Sequence, residues 1–592
     1  MMLPQKETGN PLGRQLIRMR WVNTPISKDD VYSISNQLGV SEIIATQLVR
    51  KGLIDPKAAK DFINPRLRIL DDPFRITNLK IAVKRIEKAI KNGEEVIIFG
   101  DYDVDGITST VFLVSILQHF NLYPHYLVPR RKEEGYGLSQ VAIDRALAGS
   151  VEATLFIAID CGTNSQKEIA FLCNQGIDVI IIDHHTTTKP LPEQCIIINP
   201  HIYDGEKEHW SNLCSVGLIF KLVHGLIKEL RNLGNTLANK IDLKDYLDLV
   251  AIGTIADLVP LRDENRILTK AGLNCLKNTN RLGLTALFKI SGMKLGDDVS
   301  TFDISYRLSP RINASGRLAD ASLPIKMLLS DDRKLCMDAA RTLNNFNEER
   351  RAIERSIFLE AEKLVKKYHL DTSGIVLYGN NWHPGVVGIV ASRITQKFHR
   401  PSIILGTVGD MAKGSGRSIK GINLVEVLKN CQDMLGQWGG HPMAVGVSIH
   451  PYHVKNFQKA FHNAVYENMK GIQPEPELEI ANWITIESIN EHLLNELDML
   501  HPFGQENAEP VFGLRNIVLK SSPKPFGHNH FRFMLDPNKG KRLFGVAWNQ
   551  GDKMPPRDQP IDLAVKPNWN IWNGRKHMQI ALVEWRSTIN GE

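Results

Sequence analysis

At residues 96–106 the chain reads VIIFGDYDVDG, which joins a short apolar run to a cluster of acidic residues. The run Val96–Phe99 contains no polar residue, as expected of a strand that is buried on both faces of a sheet. The acidic segment breaks this run, and Thr108–Phe120 then shows the pattern of a helix. The stretch therefore predicts a strand–loop–helix unit. Three acidic residues lie in its loop: Asp101, Asp103 and Asp105.

The same unit recurs further along the chain. Leu155–Ile159 leads into Asp160, and Val179–Ile182 leads into the triplet Asp183-His184-His185. Strands that alternate with helices favour a parallel α/β sheet, which places ligands at the carboxyl ends of its strands. A further apolar run, Tyr246–Ile255, comes just before Asp257. We therefore expect these acidic and imidazole side chains to lie close together.

These residue types indicate a metal site. A single Asp after a strand is usually a turn former or a helix N-cap, but three consecutive strands ending in Asp or His are harder to explain in that way. Carboxylates with one or two imidazoles and no thiolate suit Mn²⁺ or Mg²⁺. Two such ions, about 3.5–4 Å apart, would neutralise the crowded acids and are suited to phosphodiester hydrolysis.

Composition excludes several classes of protein. The chain has 592 residues, 43% hydrophobic and 23% charged, as expected of several globular domains. Its seven Cys form no CxxC pair, which argues against a disulfide framework and a structural zinc site. The absence of a signal peptide and of an 18-residue apolar run predicts no membrane association and a reducing, cytoplasmic compartment.

The pattern along the chain predicts an α/β protein of five segments. They are an N-terminal segment at 1–75, a parallel-sheet α/β domain at 76–333, a long connecting helix at 334–369, a smaller α/β domain at 370–464 and a C-terminal β-barrel at 465–592. The helix is predicted because its stretch is charged and contains neither Pro nor Gly. The barrel is predicted because short alternating strands there are separated by Pro, Gly and Asn turns.

The C-terminal segment carries the charge excess. Residues 511–592 contain 13 Lys and Arg against 6 Asp and Glu, an excess of 7 that equals the net charge of the whole chain, +7. Aromatic residues are interleaved with these cations: Phe526, Phe531, Phe533, Trp548, Trp569, Trp572 and Trp585. This mixture favours a barrel that binds single-stranded nucleic acid through base stacking and phosphate contacts. The alternative is an ordinary small β domain with a Trp-rich core.

Eight sequence blocks, in order, resemble the DHH phosphoesterase family, and within it the branch of bacterial single-strand-specific exonucleases. The blocks are GDYDVDGITST at 100–110, DCGTN at 160–164, DHH at 183–185, GTIADLVPL at 253–261, SPRINASGRL at 309–318, WHPGVVGIVASR at 382–393, KGSGRSI at 413–419 and GGHPMAVG at 439–446. PFGQENAEPVF at 502–512 resembles the segment that enters the oligonucleotide-binding (OB) barrel of that branch. The resemblance implies a DHH domain, a DHHA1 domain and an OB-like domain.

The resemblance also implies roles for the acidic and imidazole residues. Direct metal ligands would be Asp103, Asp105, Asp160, His184 and Asp257. His185 would be a ligand or a contact to the scissile phosphate, and Asp101 and Asp183 would be ligands or would orient a His. Asp105, Asp160 and His185 are the implied catalytic residues. Some relatives have a His where this chain has Phe99, so either one metal would bind more weakly here or Asp101 would substitute.

Substrate contacts are implied mainly in the second half of the chain. The candidates are Arg131, Tyr136, Arg311, Arg317, Arg393, Ser415, Arg417, Gly440 and His441. The four arginines from Arg311 onward occur beside Gly or Ser in segments that look like loops. Ser415–Ser418 would offer backbone N–H groups, hydroxyls and a guanidinium to a phosphate. A surface salt bridge is the alternative role for each Arg.

The function implied is 5′→3′ degradation of single-stranded DNA to 5′-mononucleotides by two Mn²⁺ or Mg²⁺ ions, in repair and recombination. Single-strand-binding protein and a RecQ-type helicase are the expected protein partners. A phosphodiesterase for cyclic dinucleotides or short oligoribonucleotides is one alternative, against which the basic aromatic tail argues. A non-catalytic replication scaffold is another, against which the intact acidic and imidazole residues argue.

Overall fold

The structure is a computed structural model that describes residues 19–130, 134–135, 137–150, 152–187, 189–318, 320–471, 474–536, 542–572 and 575–588. Arg131 and Tyr136, two of the predicted substrate contacts, lie outside the described residues. Contacts divide the chain into two compact units. The larger unit comprises residues 25–348 and 481–592, and the smaller unit comprises residues 349–480 with the described residues 19–24.

The N-terminal region begins with a strand and four helices: β1 (Arg20–Val22), α1 (Lys28–Leu38), α2 (Glu42–Arg50), α3 (Pro56–Ile63) and α4 (Leu79–Asn92). Side chains of Ser27, Ser41 and Asp55 cap the first three helices by accepting backbone N–H groups. The apolar faces of α1 and α2 share a core with the C-terminal domain, so most of the predicted N-terminal segment packs there.

A five-stranded sheet forms the centre of the larger unit. Its elements are β2 (Val96–Phe99), α5 (Val104–His119), β3 (His125–Leu127), α6 (Gln140–Gly149), β4 (Leu155–Ile159), α7 (Gln166–Asn174), β5 (Asp178–Ile182) and β6 (Ile196–Ile198). The strand order is β3-β2-β4-β5-β6, and every pair is parallel, which confirms the predicted parallel α/β domain. Strands β2 and β4 are completely buried, consistent with their all-apolar sequences.

Helices cover the sheet: α8 (Pro200–Tyr203), α9 (Ser215–Asn232), α10 (Leu247–Ala256), α11 (Asp263–Leu276), α12 (Leu282–Ile290), α13 (Thr301–Asp303), α14 (Ser309–Leu318) and α15 (Ser322–Leu329). A π-helical turn, Ile304–Leu308, joins α13 to α14. The apolar run before Asp257 is helix α10. Apart from Asp248 and Thr254, it is apolar on all sides because it lies within the helical layer, where all but its last residue are buried.

The predicted connecting helix is α16 (Arg333–Tyr368), and the division between the two units falls within it at Glu349. The smaller unit continues with β7 (Ile375–Gly379), α17 (Val387–Phe398), β8 (Ser402–Val408), β9 (Met411–Arg417), α18 (Leu424–Lys429), β10 (Trp438–His441), β11 (Ala444–Ile449), α19 (Val454–Asn468) and β12 (Glu477–Glu479). Five strands form one sheet in the order β10-β11-β9-β8-β7. The boundary that we predicted after residue 464 falls inside α19, which packs on this sheet.

The C-terminal part of the larger unit is the predicted β domain. Its elements are β13 (Asn482–Trp483), α20 (Glu491–Met499), β14 (Phe512–Val518), β15 (Lys524–Phe526), β16 (His530–Leu535), β17 (Leu543–Ala547), β18 (Pro560–Trp572) and β19 (Arg575–Ser587). The seven strands form one sheet in the order β13-β14-β18-β19-β17-β16-β15. Among the described residues, no helix is both long and apolar enough to cross a membrane.

Candidate metal centre and nucleic-acid contacts

The loop between β2 and α5 is held tightly against the first turn of the helix. Asp103 is the N-cap of α5, and its Oδ1 accepts the backbone N–H of Gly106 at 3.0 Å. A Cβ on Gly106 would lie 2.5 Å from the carbonyl oxygen of Asp101, so only glycine permits this approach. Asp101 is buried, and its Oδ1 accepts the N–H of Tyr102 at 2.7 Å. The loop therefore presents its acidic side chains in fixed positions.

The N-terminus of helix α9 holds two of the predicted ligands. Backbone N–H groups of Ser215 and Val216 donate to the two oxygens of Asp105, at 2.7 and 2.9 Å. The Ser215 hydroxyl donates to Oδ1 of Asp160 at 2.8 Å, and Asp160 has a left-handed backbone, with φ of 63°. A carboxylate is stabilised at a helix N-terminus by the unpaired N–H groups and the helix dipole. No sequence pattern pointed to Ser215, because its role depends on where α9 begins in space.

Within the DHH triplet, Asp183 holds the two histidines in position through hydrogen bonds. Oδ1 of Asp183 accepts a hydrogen bond from Nδ1 of His185 at 2.7 Å and the backbone N–H groups of His184 and His185. Its Oδ2 accepts the N–H of Thr163 at 3.3 Å. Asn199 donates to the carbonyl oxygen of His185 at 3.0 Å. Asp183 is therefore placed to orient the imidazole of His185, as the carboxylates behind metal-binding imidazoles commonly do.

His184 lies at the centre of the acidic cluster. Its Nε2 is 3.4 Å from Asp160 Oδ1, 3.4 Å from Asp257 Oδ2 and 3.9 Å from Asp105 Oδ2. This Nε2 atom is buried and has no hydrogen-bond partner among the described residues. A buried nitrogen without a partner costs free energy, unless a group that is absent from the protein chain, such as a cation, binds there.

The carboxylates of the cluster resist ionisation. Burial raises the pKa of Asp101 to about 8, that of Asp105 to about 7 and that of Asp257 to about 9, and neighbouring carboxylates add to each shift. Burial, together with the charges of Asp103 and Asp105, also raises the pKa of Asp160 well above its usual value. So many acids without a counter-charge are unfavourable, and a cation would relieve their repulsion.

The two imidazoles have opposite shifts. Burial lowers the pKa of His184 to about 3, so this ring is neutral and suited to binding a cation. Burial also opposes the charged form of His185, but the hydrogen bond and charge of Asp183 outweigh it and raise the pKa of His185 to about 9. Burial acts against the charge of Asp183 too, yet the hydrogen bond from His185 is among the interactions that lower the pKa of this carboxyl.

Three sets of three residues each have ligand atoms within 4.8 Å of one another, and together the sets include all seven predicted metal-binding residues. The sets are Asp160–His184–His185, Asp105–His184–Asp257 and Asp101–Asp103–Asp160. Shared residues link the sets, as in sites where carboxylates bridge two ions. Phe99, which stands where some relatives have His, is fully buried and stacks on Phe156 with ring centroids 6.2 Å apart. Asp101, rather than residue 99, therefore groups with Asp103 and Asp160 as a candidate ligand.

Two predicted phosphate contacts of the larger unit lie on a helix, which corrects the loop prediction for Arg311 and Arg317. Both belong to α14. Nε of Arg311 donates to Oδ1 of Asn344 at 3.0 Å. Gly316 packs so closely on the metal loop that a Cβ there would be 2.9 Å from Cδ2 of Tyr102. This contact places helix α14, at Gly316, against the loop that carries Asp101 and Asp103, and Arg317 is the next residue of that helix.

The glycine-rich segment of the smaller unit is a strand, which corrects the predicted backbone cradle at Ser415–Ser418. Strand β9 lies between β11 and β8, and its residues pair with both neighbours. Its backbone N–H groups are therefore used by the sheet, and the N–H of Ser418 donates to the carbonyl oxygen of Met443 at 3.0 Å. Gly414 is required because a Cβ there would lie 1.9 Å from the carbonyl oxygen of Ile404.

Side chains, however, do converge on one face of β9. Ser415 and Arg417, two residues apart, both approach the first turn of α17. A Cβ on Gly388 would lie 3.3 Å from Ser415 Oγ and 3.6 Å from Arg417 Nη2. A hydroxyl and a guanidinium beside a helix N-terminus form a chemically suitable anion site.

The remaining predicted contacts of this unit differ in their surroundings. Arg393 lies on α17, where its Nη1 is 3.0 Å from Oε1 of Glu354 and its guanidinium lies 3.9 Å from the centroid of the Phe358 ring. Arg393 thus has the surface ion pair that was its alternative role. Gly440 has φ of 141° in the tight β10–β11 hairpin, where a Cβ would lie 2.3 Å from the carbonyl oxygen of Ala444. His441 is exposed at the end of β10.

Aromatic residues of the C-terminal domain fall into two groups. Phe531 and Phe533 belong to its core, and Trp569 and Trp585 pack against that core, so these rings match the alternative prediction of a structural role. Trp548 is 53% exposed and lies 5.6 Å from Phe526 and 5.1 Å from His530 between ring centroids. This second group offers rings on the surface. The side chain of Trp572 lies outside the described residues.

Three family models match the chain, in the order in which the domains occur. Residues 95–254 match the DHH family, N-terminal domain, residues 371–467 match the DHHA1 domain, and residues 480–584 match the RecJ OB domain. The third match begins at the boundary between the smaller unit and the C-terminal part of the larger unit.

Several similar proteins are exonucleases named RecJ. The single-stranded-DNA-specific exonuclease RecJ of Bacillus subtilis is 34% identical, over 96% of this chain and 72% of its own length. The protein of the same name from Salmonella typhimurium is 34% identical, over 86% of this chain and 90% of its own. A crystal structure of RecJ in complex with Mn²⁺, from Thermus thermophilus, has a TM-score of 0.81 at 28% identity and covers 98% of this chain and 80% of its own.

Proposed function

Since the chain belongs to the RecJ family of single-stranded-DNA-specific exonucleases, we propose that it hydrolyses single-stranded DNA from the 5′ end and releases 5′-mononucleotides. One observation supports this most directly. Seven candidate ligands form three sets that are linked through Asp160 and His184, and the buried Nε2 of His184 has no hydrogen-bond partner among the described residues. Such a cluster fits metal-assisted hydrolysis of a phosphodiester.

The cluster fits two divalent cations, Mn²⁺ or Mg²⁺. Its donor atoms are carboxylate oxygens and imidazole nitrogens, and relatives have been crystallised with Mn²⁺ and with Mg²⁺. When bound, such ions lower the pKa of water and stabilise negative charge on phosphate oxygens. The residues that would hold them are Asp101, Asp103, Asp105, Asp160, His184, His185 and Asp257.

The protein's own contribution is to fix these ligands before substrate arrives. The first turn of α9 orients Asp105, and the Ser215 hydroxyl orients Asp160. Asp183 accepts the Nδ1 hydrogen of His185, which leaves the Nε2 of that ring to donate to the phosphate, or to bind a cation once its proton is lost. A preorganised site loses little free energy to rearrangement during the reaction.

We propose phosphate contacts in each unit separately. Arg317, beside the metal loop, and the pair Ser415 and Arg417 in the DHHA1 domain are the phosphate contacts that we propose. Gly440 would allow close approach of the strand, with His441 near a phosphate. Arg311 and Arg393 donate hydrogen bonds to Asn344 and Glu354, so contact with a phosphate would require each of them to exchange that partner. The exposed rings around Trp548 would stack on bases.

Neither alternative activity is favoured by a specific observation. A phosphodiesterase for small substrates would not need the RecJ OB domain at 480–584. A non-catalytic scaffold would not need seven candidate ligands in one cluster. We propose single-strand-binding protein and a RecQ-type helicase as partners, since they coat and produce single strands. All seven cysteines are free, which supports a reducing compartment such as the cytoplasm.

The test is an end-labelling experiment with purified protein. Single strands labelled at the 5′ or the 3′ end are incubated with Mn²⁺, and products are separated at short times. Immediate release of labelled mononucleotide from the 5′ label alone is the expected result. Mononucleotide release from the 3′ label first would contradict the polarity, and the absence of cleavage would contradict the proposed activity.

A further inference from the structure

An exposed apolar patch adjoins the candidate metal centre of the larger unit. It consists of Leu258, Phe302 and Tyr306, which are 67%, 58% and 68% exposed. The rings of Phe302 and Tyr306 lie side by side with centroids 4.6 Å apart. Leu258 directly follows the candidate ligand Asp257. Single exposed apolar residues are ordinary, but three that line one cavity beside a metal site are informative.

The backbone under this patch is unusual at two points. Leu258 has φ of 61°, a left-handed conformation that is uncommon for a bulky side chain and costs free energy. Tyr306 lies in the π-helical turn Ile304–Leu308, and π-helical turns occur frequently at functional sites. Both residues with this unusual backbone, Leu258 and Tyr306, have exposed apolar side chains. Packing within the fold does not explain this arrangement, because the three side chains are not buried.

The patch lines a cavity of about 270 Å³ whose walls are tied together by hydrogen bonds. The opposite wall is the segment Phe503–Gln505, which enters the C-terminal domain. Oγ1 of Thr301 donates to the carbonyl oxygen of Phe503 at 2.8 Å. The backbone N–H of Leu261 donates to the carbonyl oxygen of Gln505 at 2.9 Å. The volume lies just below the usual range of pockets for drug-sized ligands, so it suits one planar ring system better than a larger ligand.

We propose that this cavity is a nucleobase subsite, in which Phe302 and Tyr306 stack on one base of the DNA strand close to the scissile phosphate. The inference rests on the proposed function. A base supplies the flat apolar surface that two exposed rings and a leucine can cover, and stacking on aromatic side chains is how single strands are held without sequence preference. The subsite adjoins Asp257, so its occupant would lie beside the reacting phosphate.

The same helical run provides cations for the phosphates of that nucleotide strand. From the π-helical turn the chain continues directly into α14, which carries Arg311 and Arg317. Aromatic rings and guanidinium groups are the two kinds of side chain that single-strand sites combine, the rings for bases and the cations for phosphates. Their occurrence on one helical run favours DNA over a protein partner as the occupant.

The experiment uses the full chain and a set of single strands, each with one abasic site at positions one to six from the 5′ end. We expect an abasic site at one or two of these positions to slow the wild-type protein about tenfold, because the stacked base is missing. In the double variant Phe302→Ala/Tyr306→Ala, intact strands should be cleaved about tenfold more slowly, and the abasic site at those positions should have no further effect. The variant Tyr306→Trp keeps a ring and should behave as wild type.

Tyr123→Ala is the matched control. Tyr123 is 71% exposed and lies beyond the end of α5 that is remote from the metal loop, about 24 Å along that helix. It should leave the abasic profile unchanged. Mn²⁺ titration should give wild-type metal affinity for the Ala double variant. The second double variant, Phe302→Leu/Tyr306→Leu, keeps apolar bulk for folding but has no rings, and it should show the same abasic profile as the Ala double variant. A wild-type abasic profile in both double variants would overturn the subsite and leave the proposed function standing. Absence of cleavage by the wild-type protein would overturn both.

Discussion

Nε2 of His184 lies 3.4 Å from Oδ2 of Asp257, and this contact joins the carboxyl end of a parallel strand to the end of a helix. His184 follows β5, whereas Asp257 follows α10. The sheet by itself aligns the acids that follow β2 and β4. The helix supplies the additional carboxylate that completes the set Asp105–His184–Asp257.

Loss of a ligand should abolish activity without unfolding the protein. We expect Asp257→Asn or Asp160→Ala to lower the rate of single-strand cleavage by at least about 100-fold, since the ligand set would be incomplete. Asp178→Asn is a matched control, because Asp178 lies at the opposite end of the strand that precedes the DHH triplet. Cleavage assays and circular dichroism check the prediction. A near wild-type rate for either ligand variant would refute the metal assignment.

Asp183 should act through His185. We expect Asp183→Asn to weaken Mn²⁺ binding about 10–100-fold, since the carboxylate that orients His185 and raises its pKa is replaced by a neutral amide. Ser215→Ala should weaken binding less, because the backbone N–H of Ser215 still holds Asp105. Calorimetric titration with Mn²⁺ gives both affinities. Equal affinities for wild type and Asp183→Asn would contradict an orienting role.

The cluster predicts a pH dependence with a definite sign. Asp101, Asp105 and Asp257 have pKa values of about 8, 7 and 9 in the folded, metal-free chain, above the value of about 3.9 for an unfolded Asp. The folded state then binds more protons than the unfolded state, so stability of the metal-free protein should fall as pH rises from about 4 to 9. A cation competes with these protons, so Mn²⁺ should bind more tightly at higher pH.

Thermal unfolding with and without Mn²⁺ at several pH values measures this effect. The increase in melting temperature on adding Mn²⁺ should grow between about pH 6 and pH 8.5, as protons leave the carboxyl groups. Calorimetry in two buffers with different enthalpies of ionisation should show proton release when the metal binds. A metal-induced shift that stays constant with pH would contradict the raised carboxyl pKa values.

Arg417 should read a terminal phosphate. We expect Arg417→Ala to reduce use of 5′-phosphorylated strands more than use of 5′-hydroxyl strands, with a loss of about 1.5–3 kcal/mol for a charge-assisted contact. Arg417→Lys keeps the charge but not the planar guanidinium, so it should retain only part of the preference for 5′-phosphorylated strands. Arg317→Ala should behave similarly. Equal losses on the two substrates would show that these arginines do not read the terminal phosphate.

DNA affinity of the C-terminal domain is better tested by point changes than by truncation. Its core includes Val31, Ile34 and Leu48 from the N-terminal helices, so a chain ending near residue 465 should be unstable. We instead expect Phe526→Ala/Trp548→Ala to weaken binding to long strands by about 1–3 kcal/mol for each base no longer stacked. Fluorescence anisotropy with long and short strands measures this, and Tyr32→Ala is an exposed control. Unchanged affinity for long strands would exclude these rings as stacking sites.

The parallel sheet, the connecting helix and the residues of the metal cluster could all be predicted from local sequence. Val96–Phe99 and Leu155–Ile159 are apolar throughout, because neither face of a strand buried on both sides contacts water. The acids after such strands must meet at one edge of a parallel sheet, so their proximity follows from topology alone.

Other features became visible only once the chain was folded. The run before Asp257 is mostly apolar on every side, and periodicity alone cannot distinguish a buried helix from a buried strand. Glycines in β9 mark close backbone contact inside a sheet, although in sequence they resemble a loop. Ser215, Leu258 and Tyr306 gain their roles from a helix start, a left-handed residue and a π-helical turn. Ser215 donates to Asp160, and Leu258 and Tyr306 line one cavity with Phe503–Gln505, so these roles depend on segments distant in the chain, which local sequence does not encode.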